Sequence, residues 1–282
     1  EPPIFREKLE KAYEFNQGII EKVFRVRCDL SFDDMYRDYL TYGARLNEYV
    51  TDTELELYHA YKARKTFLFE GAQGMSLDVD HGLYPHTTSS TTTAGQIVAG
   101  SGVGYNGAQR IIGVAKAYVT RVGTSPFPTE LHNDQARLIR EVGREFGTTT
   151  GRPRRIGCLD LVQLRQAVRV NGLTDIALTK IDVLSGFRRL QVCTTYSLDG
   201  ETATEMPASL QKMRRAEPRY TELSGWGQLD EASIEKCTRE GYKSLPPEMK
   251  QYIEFVEEHI DCPITIISLG PERSQTILRS RP

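Results

Sequence analysis

No stretch of the 282 residues approaches the roughly 20 consecutive apolar residues of a membrane-crossing helix. Cysteine is sparse: Cys28, Cys158, Cys193, Cys237 and Cys262 are scattered and odd in number, and none forms a CxxC pair. That argues for reduced thiols in a cytosolic protein, and against a zinc site or a disulfide framework. The five histidines are equally dispersed and form no metal-ligand cluster. Charge of one sign is also lacking. The net charge is −2, so the chain as a whole does not advertise a nucleic-acid or other polyanion partner. The phosphate-cradling pattern GxxxxGK[ST] does not occur. The N-terminus, EPPIFREKLEK, has no initiator Met and no signal or transit-peptide character, so a processed chain or a piece of a longer one is expected.

What remains is an ordinary globular composition, 39% hydrophobic and 26% charged. Residues 5–60 read as helical. Ser31-x-x-Asp34 and Thr51-x-x-Glu54 resemble capping boxes that open helices. From residue 66 short apolar runs end in Gly and polar residues: TFLFEGAQG, RIIGVAKAYVTRVG, DIALTKID, RLQVCTTYSL and CPITIISLGP. Helical patterns lie between them at roughly 132–146, 158–170 and 246–259. Alternating strands and helices predict an α/β fold with a large, mostly parallel sheet and flanking helices. Ligands of such sheets bind beyond the carboxyl ends of the strands. Here those ends carry Glu70–Gly74, Arg121–Gly123, Thr179–Asp182 and Ser268–Pro271.

Four stretches point to chemistry. TKID, Thr179–Asp182, closes a strand; an Asp there can accept the N1–H and exocyclic amino hydrogens of guanine, and a Lys stem can lie over the base. GTTTGRPRR, Gly147–Arg155, offers hydroxyls, backbone N–H groups and guanidinium forks for a carboxylate or phosphate, in preference to a nucleic-acid contact. Thr87–Thr93 are seven hydroxyl side chains in succession, read either as a loop wrapped around a phosphate or ribose or as a linker. Gly102, Gly104 and Gly107 match GxGxxG, but with a β-like run following they read as a turn.

FEGAQG followed by LDVDHGLYPHTTSSTTTAG resembles the adenylosuccinate synthetases. KAYVTRVGTSPFPTE, FGTTTGRPRRIGCLDLVQLRQAV, LTKIDVL and YIEFVEEHIDCPITIISLGPERSQTI resemble later blocks of that family, in order. The resemblance implies a P-loop-NTPase-like adenylosuccinate synthetase fold over residues 1–282, mainly helical over 1–60 and α/β with ligand loops over 66–282. It implies GTP-dependent ligation of IMP and L-aspartate in a cytoplasmic homodimer, with Mg2+ as cofactor and neither nucleic acid nor membrane as partner. Carried over residue by residue, Gln73, Thr88, Val122 and Arg152 would contact IMP. Thr148, Thr149, Thr150, Gly151, Arg152 and Arg154 would take the aspartate. Arg154, Lys180, Ile181, Asp182, Ser268, Leu269 and Gly270 would hold GTP.

Some positions depart from the family pattern. Thr91 stands where Asn usually follows the two serines, Thr124-Ser125 lacks a second glycine, and Ser224 replaces a proline. The family's GDEGKG-type loop, with its catalytic Asp, its Mg2+ ligands and the acid His that follows, has no counterpart here. The expectation is therefore a chain lacking the first third of the enzyme, with no assignable catalytic base or acid and no metal ligands. Such a chain would be inactive and aggregation-prone alone. The alternative is an inactive guanine-nucleotide-binding fragment or scaffold.

Overall fold

The computed structural model describes residues 1–104 and 109–280, and divides into two compact units, Glu1–Thr66 and a second from Phe67 onward. In the first, α1 (Pro2–Gly18), α2 (Phe32–Leu46) and α3 (Thr53–Lys62) carry no fully buried residue. Two prolines open α1, where a missing N–H costs nothing. Aromatic stacking joins the first two helices: Phe5 lies 5.6 Å from Tyr36, and Arg6 sits over the rings of Phe32 and Tyr36. Ser31 caps α2 as expected, accepting from Asp34 N–H. The expected cap at Thr51 is displaced by one residue: the Asp52 side chain accepts the Leu55 N–H at 3.1 Å, satisfying a free donor at the helix start.

The second unit is built on two four-stranded sheets and one two-stranded ribbon. The main one has the order β1 (Ile112–Lys116), β5 (Asp175–Thr179), β9 (Ile264–Ser268) and β10 (Thr276–Leu278). Its first three strands are parallel and β10 returns antiparallel. Between them the chain forms β2 (Val119–Arg121), β3 (Arg155–Gly157) and β4 (Leu159–Asp160). β2 and β3 make an antiparallel pair. The second sheet surrounds the long β6 (Arg189–Leu198), which pairs parallel with β4 and antiparallel with β7 (Glu201–Ala203) and β8 (Glu217–Ser224). This antiparallel part has no counterpart in the expected parallel sheet.

Helices α5 (Asp134–Val142), α6 (Leu161–Asn171) and α9 (Pro247–Ile260) match the expected helical segments, with ends displaced by a few residues. The short α4 (Gln96–Ser101) and α7 (Leu210–Arg215), and α8 (Glu231–Glu240), have no counterpart among the expected helices. The core joins Ile176 and Leu178 of β5, Ile264 and Ile267 of β9, and Met249, Tyr252, Ile253 and Val256 of α9, all essentially excluded from solvent. Each such side chain contributes roughly 1.5–3 kcal/mol of transfer free energy. No helix among the described residues is long and apolar enough to cross a membrane.

Two expectations need correction. TFLFEG forms no strand: Phe67 and Phe69 stack at 6.0 Å as in an extended chain, but Leu68 is 94% exposed and no ladder partner exists among the described residues. β propensity without a neighbouring strand to pack on does not make a sheet. The run from Arg110 to Gly123 is two strands rather than one. The chain leaves the main sheet after Lys116 because Ala117 and Tyr118 turn inward and become buried. In the Gly-rich stretch, Gly102 closes α4 with φ +70°, a conformation glycine tolerates; Gly107 lies outside the described residues.

Candidate active site

The hydroxyl-rich loop is wrapped around a carboxylate of its own chain. Asp78 is fully buried; its Oδ1 accepts from the N–H groups of Asp80 and His81, and its Oδ2 from those of Thr92 at 2.6 Å and Thr93 at 3.3 Å. Burial pushes this carboxyl up, but the four donors outweigh it and hold it below the ordinary range. Both ends of the loop are therefore tied to one atom group. The Thr88 N–H donates to Leu77 O at 2.8 Å and the Thr92 hydroxyl to Gly74 O at 2.9 Å. This brings Thr88 back beside the segment that follows Gln73. Gln73 has φ +61°, an uncommon conformation for a residue with a side chain.

α6 is the post to which this loop is fixed. The Ala94 N–H donates to Asn171 Oδ1 at 2.8 Å, and the Ser76 hydroxyl to Gln163 Oε1 at 3.3 Å. Arg121 donates to both Ser76 Oγ and Gln163 Oε1, which draws Val122 to the same place. Gln163 in turn donates to Asp160, which also accepts from the Tyr196 hydroxyl. Burial pushes the Asp160 carboxyl up, although these donors and the Arg121 charge act against it. Gln73, Thr88 and Val122, three of the four residues expected for IMP, thus sit on segments bonded into one framework, and Arg152, the fourth, lies on the 148–153 loop.

A second cluster surrounds Glu145, which is 1% exposed. Its Oε1 accepts from Lys116 Nζ at 2.6 Å and the Tyr118 hydroxyl at 2.8 Å, and its Oε2 from Arg154 Nη1 at 2.6 Å. Burial raises this carboxyl, but Lys116, Tyr118 and Arg154 outweigh it and keep it ionised below the usual range. The loop 148–153 springs from this point. Its stem is a bridge between Phe146 and Pro153, with Arg154 N–H on Glu145 O and Gly147 N–H on Arg152 O. Gly151 at its tip has φ +63°. Thr148, Thr149, Thr150 and Arg152 are exposed, and the Arg152 side chain forms no ion pair among the described residues.

The strand-end TKID turn lies next to this cluster. Lys180 donates from Nζ to Gly143 O at 3.0 Å, Ile181 is fully buried, and Asp182 is half-buried with its carboxyl pushed up by burial. The pairing of Leu178 with Ile267 sets the end of β5 beside the end of β9. There the Ser268 hydroxyl donates to Gly270 O at 2.7 Å, and the buried Leu269 donates its N–H to Gln275 O.

β2 and β3 join the two clusters. Arg121 pairs with Arg155 across that ladder, so the Ser76–Gln163 framework and the 148–154 loop share one two-stranded ribbon. Arg155 braces the following turn, binding Glu130 and the carbonyls of Gly123 and Ser125. Among the described residues no hydrogen bond joins Arg152 directly to Gln73 or Thr88. Sequence reasoning missed Asp78, Glu145, Gln163 and Lys116, which orient the site from beneath. Only Asp78, in an Asp-rich stretch ahead of a glycine, carried a turn signal that could have revealed it.

A family model described as adenylosuccinate synthetase matches residues 1–277. The adenylosuccinate synthetase of Geobacter sulfurreducens is 46% identical over 279 residues, 99% of this chain and 63% of that protein. That of Staphylococcus aureus strain N315 is 45% identical, covering 99% of this chain and 64% of its own length. The fully ligated adenylosuccinate synthetase of Plasmodium falciparum superposes with a TM-score of 0.90 at 32% identity, covering 99% of this chain and 64% of that one. This chain thus spans just under two thirds of the length of these relatives, and it belongs to the adenylosuccinate synthetase family.

Proposed function

We propose that this chain carries the substrate contacts of a GTP-dependent ligase that joins IMP to L-aspartate, giving adenylosuccinate, GDP and phosphate on the route to AMP. In this reading GTP phosphorylates the 6-oxygen of IMP, and the aspartate amine then displaces phosphate. Gln73 meets the base, Thr88 the 5′-phosphate and Val122 the ribose. The 148–154 loop takes the aspartate carboxylates, with Arg152 shared between amino acid and nucleotide. Arg154 keeps one guanidinium N–H on Glu145, leaving its other donors for a GTP phosphate oxygen. Lys180, Ile181 and Asp182 read guanine, and Ser268, Leu269 and Gly270 close that pocket.

The observation that carries the reading is the continuous hydrogen-bonded frame from Thr88 and Gly74 through Ser76, Arg121 and β3 to Arg154 and Lys180. Family membership also supports a homodimer in the cytoplasm and a requirement for Mg2+. The described residues include no group of three or more His, Cys, Asp or Glu able to hold a metal ion. Glu145, the carboxylate beside Arg154, is already occupied by three donors. These residues do not fit a magnesium pocket, so no step is assigned to the metal.

Calorimetric titration tests the reading. The chain should bind IMP, and Q73A and T88V should each weaken that binding about tenfold or more while leaving guanine-nucleotide binding unchanged. Guanine-nucleotide binding without any IMP binding would instead support a nucleotide-binding scaffold.

A further inference from the structure

Three ligand-directed elements meet on the short turn Gly143–Glu145. Lys180 of the guanine-directed turn rests on Gly143 O at 3.0 Å. Arg154 is held twice, by its backbone N–H on Glu145 O at 3.0 Å and by its guanidinium on Glu145 Oε2 at 2.6 Å. The 148–153 loop begins at the same place, its stem closed by Phe146–Pro153 and Gly147–Arg152 pairing. Gly143 packs too closely against its neighbours for a side chain. A Cβ on Gly143 would lie 2.5 Å from the Tyr118 hydroxyl and 2.6 Å from Ile139 O. Lys116 and Tyr118, from the end of β1 and the residues after it, hold the other carboxylate oxygen.

We propose that Glu145 is a positioning residue that couples the guanine-nucleotide site to the aspartate loop; the proposal rests on the functional reading above. Its carboxylate shares Arg154 with whatever anion approaches the exposed edge of that guanidinium. A phosphate oxygen that draws on Arg154 therefore pulls on one strand of the hairpin stem. The other strand, and the tip with Gly151 and Arg152, must follow, because the stem hydrogen bonds join them. Glu145 limits this movement to one geometry by keeping Nη1 fixed. Lys180 transmits occupancy of the guanine pocket to the same turn through Gly143. Coupling of this kind requires an element on which both ligand sites bear, and Lys180 and Arg154 both bear on the Gly143–Glu145 turn.

The test is calorimetric titration of aspartate with IMP saturating, with and without a non-hydrolysable GTP analogue. In the unaltered protein the analogue should tighten aspartate binding about tenfold, within the usual range of site–site coupling. E145Q keeps the side-chain shape but not the charge. It should still bind the analogue through Lys180 and Asp182, while the aspartate constant becomes insensitive to it. A merely structural role for Glu145 would weaken both ligands without changing their ratio. Should E145Q fail to give a cooperative melt, R154K takes its place, since it keeps the cation and loses the fork; it too should reduce the ratio towards one. An unchanged ratio in the folded variant overturns the proposal and leaves the functional reading intact. Failure of the unaltered protein to bind IMP or the analogue overturns both.

Discussion

Replacing Asp78 by Asn removes one charge and one acceptor from the centre of the hydroxyl loop. The Asn carbonyl can still accept from Asp80 and His81, as Oδ1 does now. The amide nitrogen then faces the N–H groups of Thr92 and Thr93, which lose their acceptor and meet a donor. A hydrogen bond to a charged group contributes roughly 1.5–3 kcal/mol, so two lost bonds lower the loop's opening free energy by about 3 kcal/mol or more. At about 1.4 kcal/mol per decade, this corresponds to roughly hundredfold faster amide exchange at Thr92 and Thr93. Global stability should fall by less, because the loop can open locally while the sheet stays folded. Hydrogen exchange read by mass spectrometry or NMR measures this directly, and IMP affinity should fall in parallel. The pH dependence has a defined sign. The folded carboxyl lies below its unfolded value, so its contribution is complete above the ordinary aspartate range near pH ~3.9 and is lost as pH falls through the folded value. Exchange at Thr92 and Thr93 that changes less than about threefold in D78N would refute the view that this carboxylate organises the loop.

Asp160 behaves in the opposite sense. Burial raises its folded value, so its favourable contribution is complete below pH ~3.9 and is lost as pH rises through the raised value. D160N should flatten that decline in chemical-denaturation stability while lowering stability at every pH, since the amide oxygen can still accept from the Val162 and Gln163 N–H groups but the amide nitrogen meets the Gln163 Nε2 donor. D182N should exchange guanine for xanthine preference in nucleotide competition: xanthine carries a carbonyl where guanine carries the amino group, and an amide can donate to it. Retained guanine selectivity in D182N would remove Asp182 from the base pocket.

The strands that run through the core were legible because they are rich in apolar and β-branched residues. Arg189–Leu198 forms β6 with the same ends as the sequence pattern, and Asp175–Thr179 and Ile264–Ser268 fall inside theirs. TFLFEG carried the same signal and failed, because a strand also needs a neighbour that the sequence pattern does not display. The break between β1 and β2 was hidden for a related reason: it depends on Tyr118 reaching Glu145, 27 positions away. The candidate site divides along the same line. Lys180, Asp182 and the threonine loops announce themselves by local spacing at strand ends. Asp78, Glu145 and Gln163 act through partners distant in sequence, among them Thr92, Lys116 and Ser76, and no local pattern encodes those pairs.

The most direct measurement is a crystal structure of the chain soaked with IMP. The account predicts IMP density with the base against Gln73, the phosphate at Thr88 and the ribose at Val122, on the face of β2 that leads to the 148–154 loop. Density elsewhere on the molecule, with these three residues solvated, would contradict it.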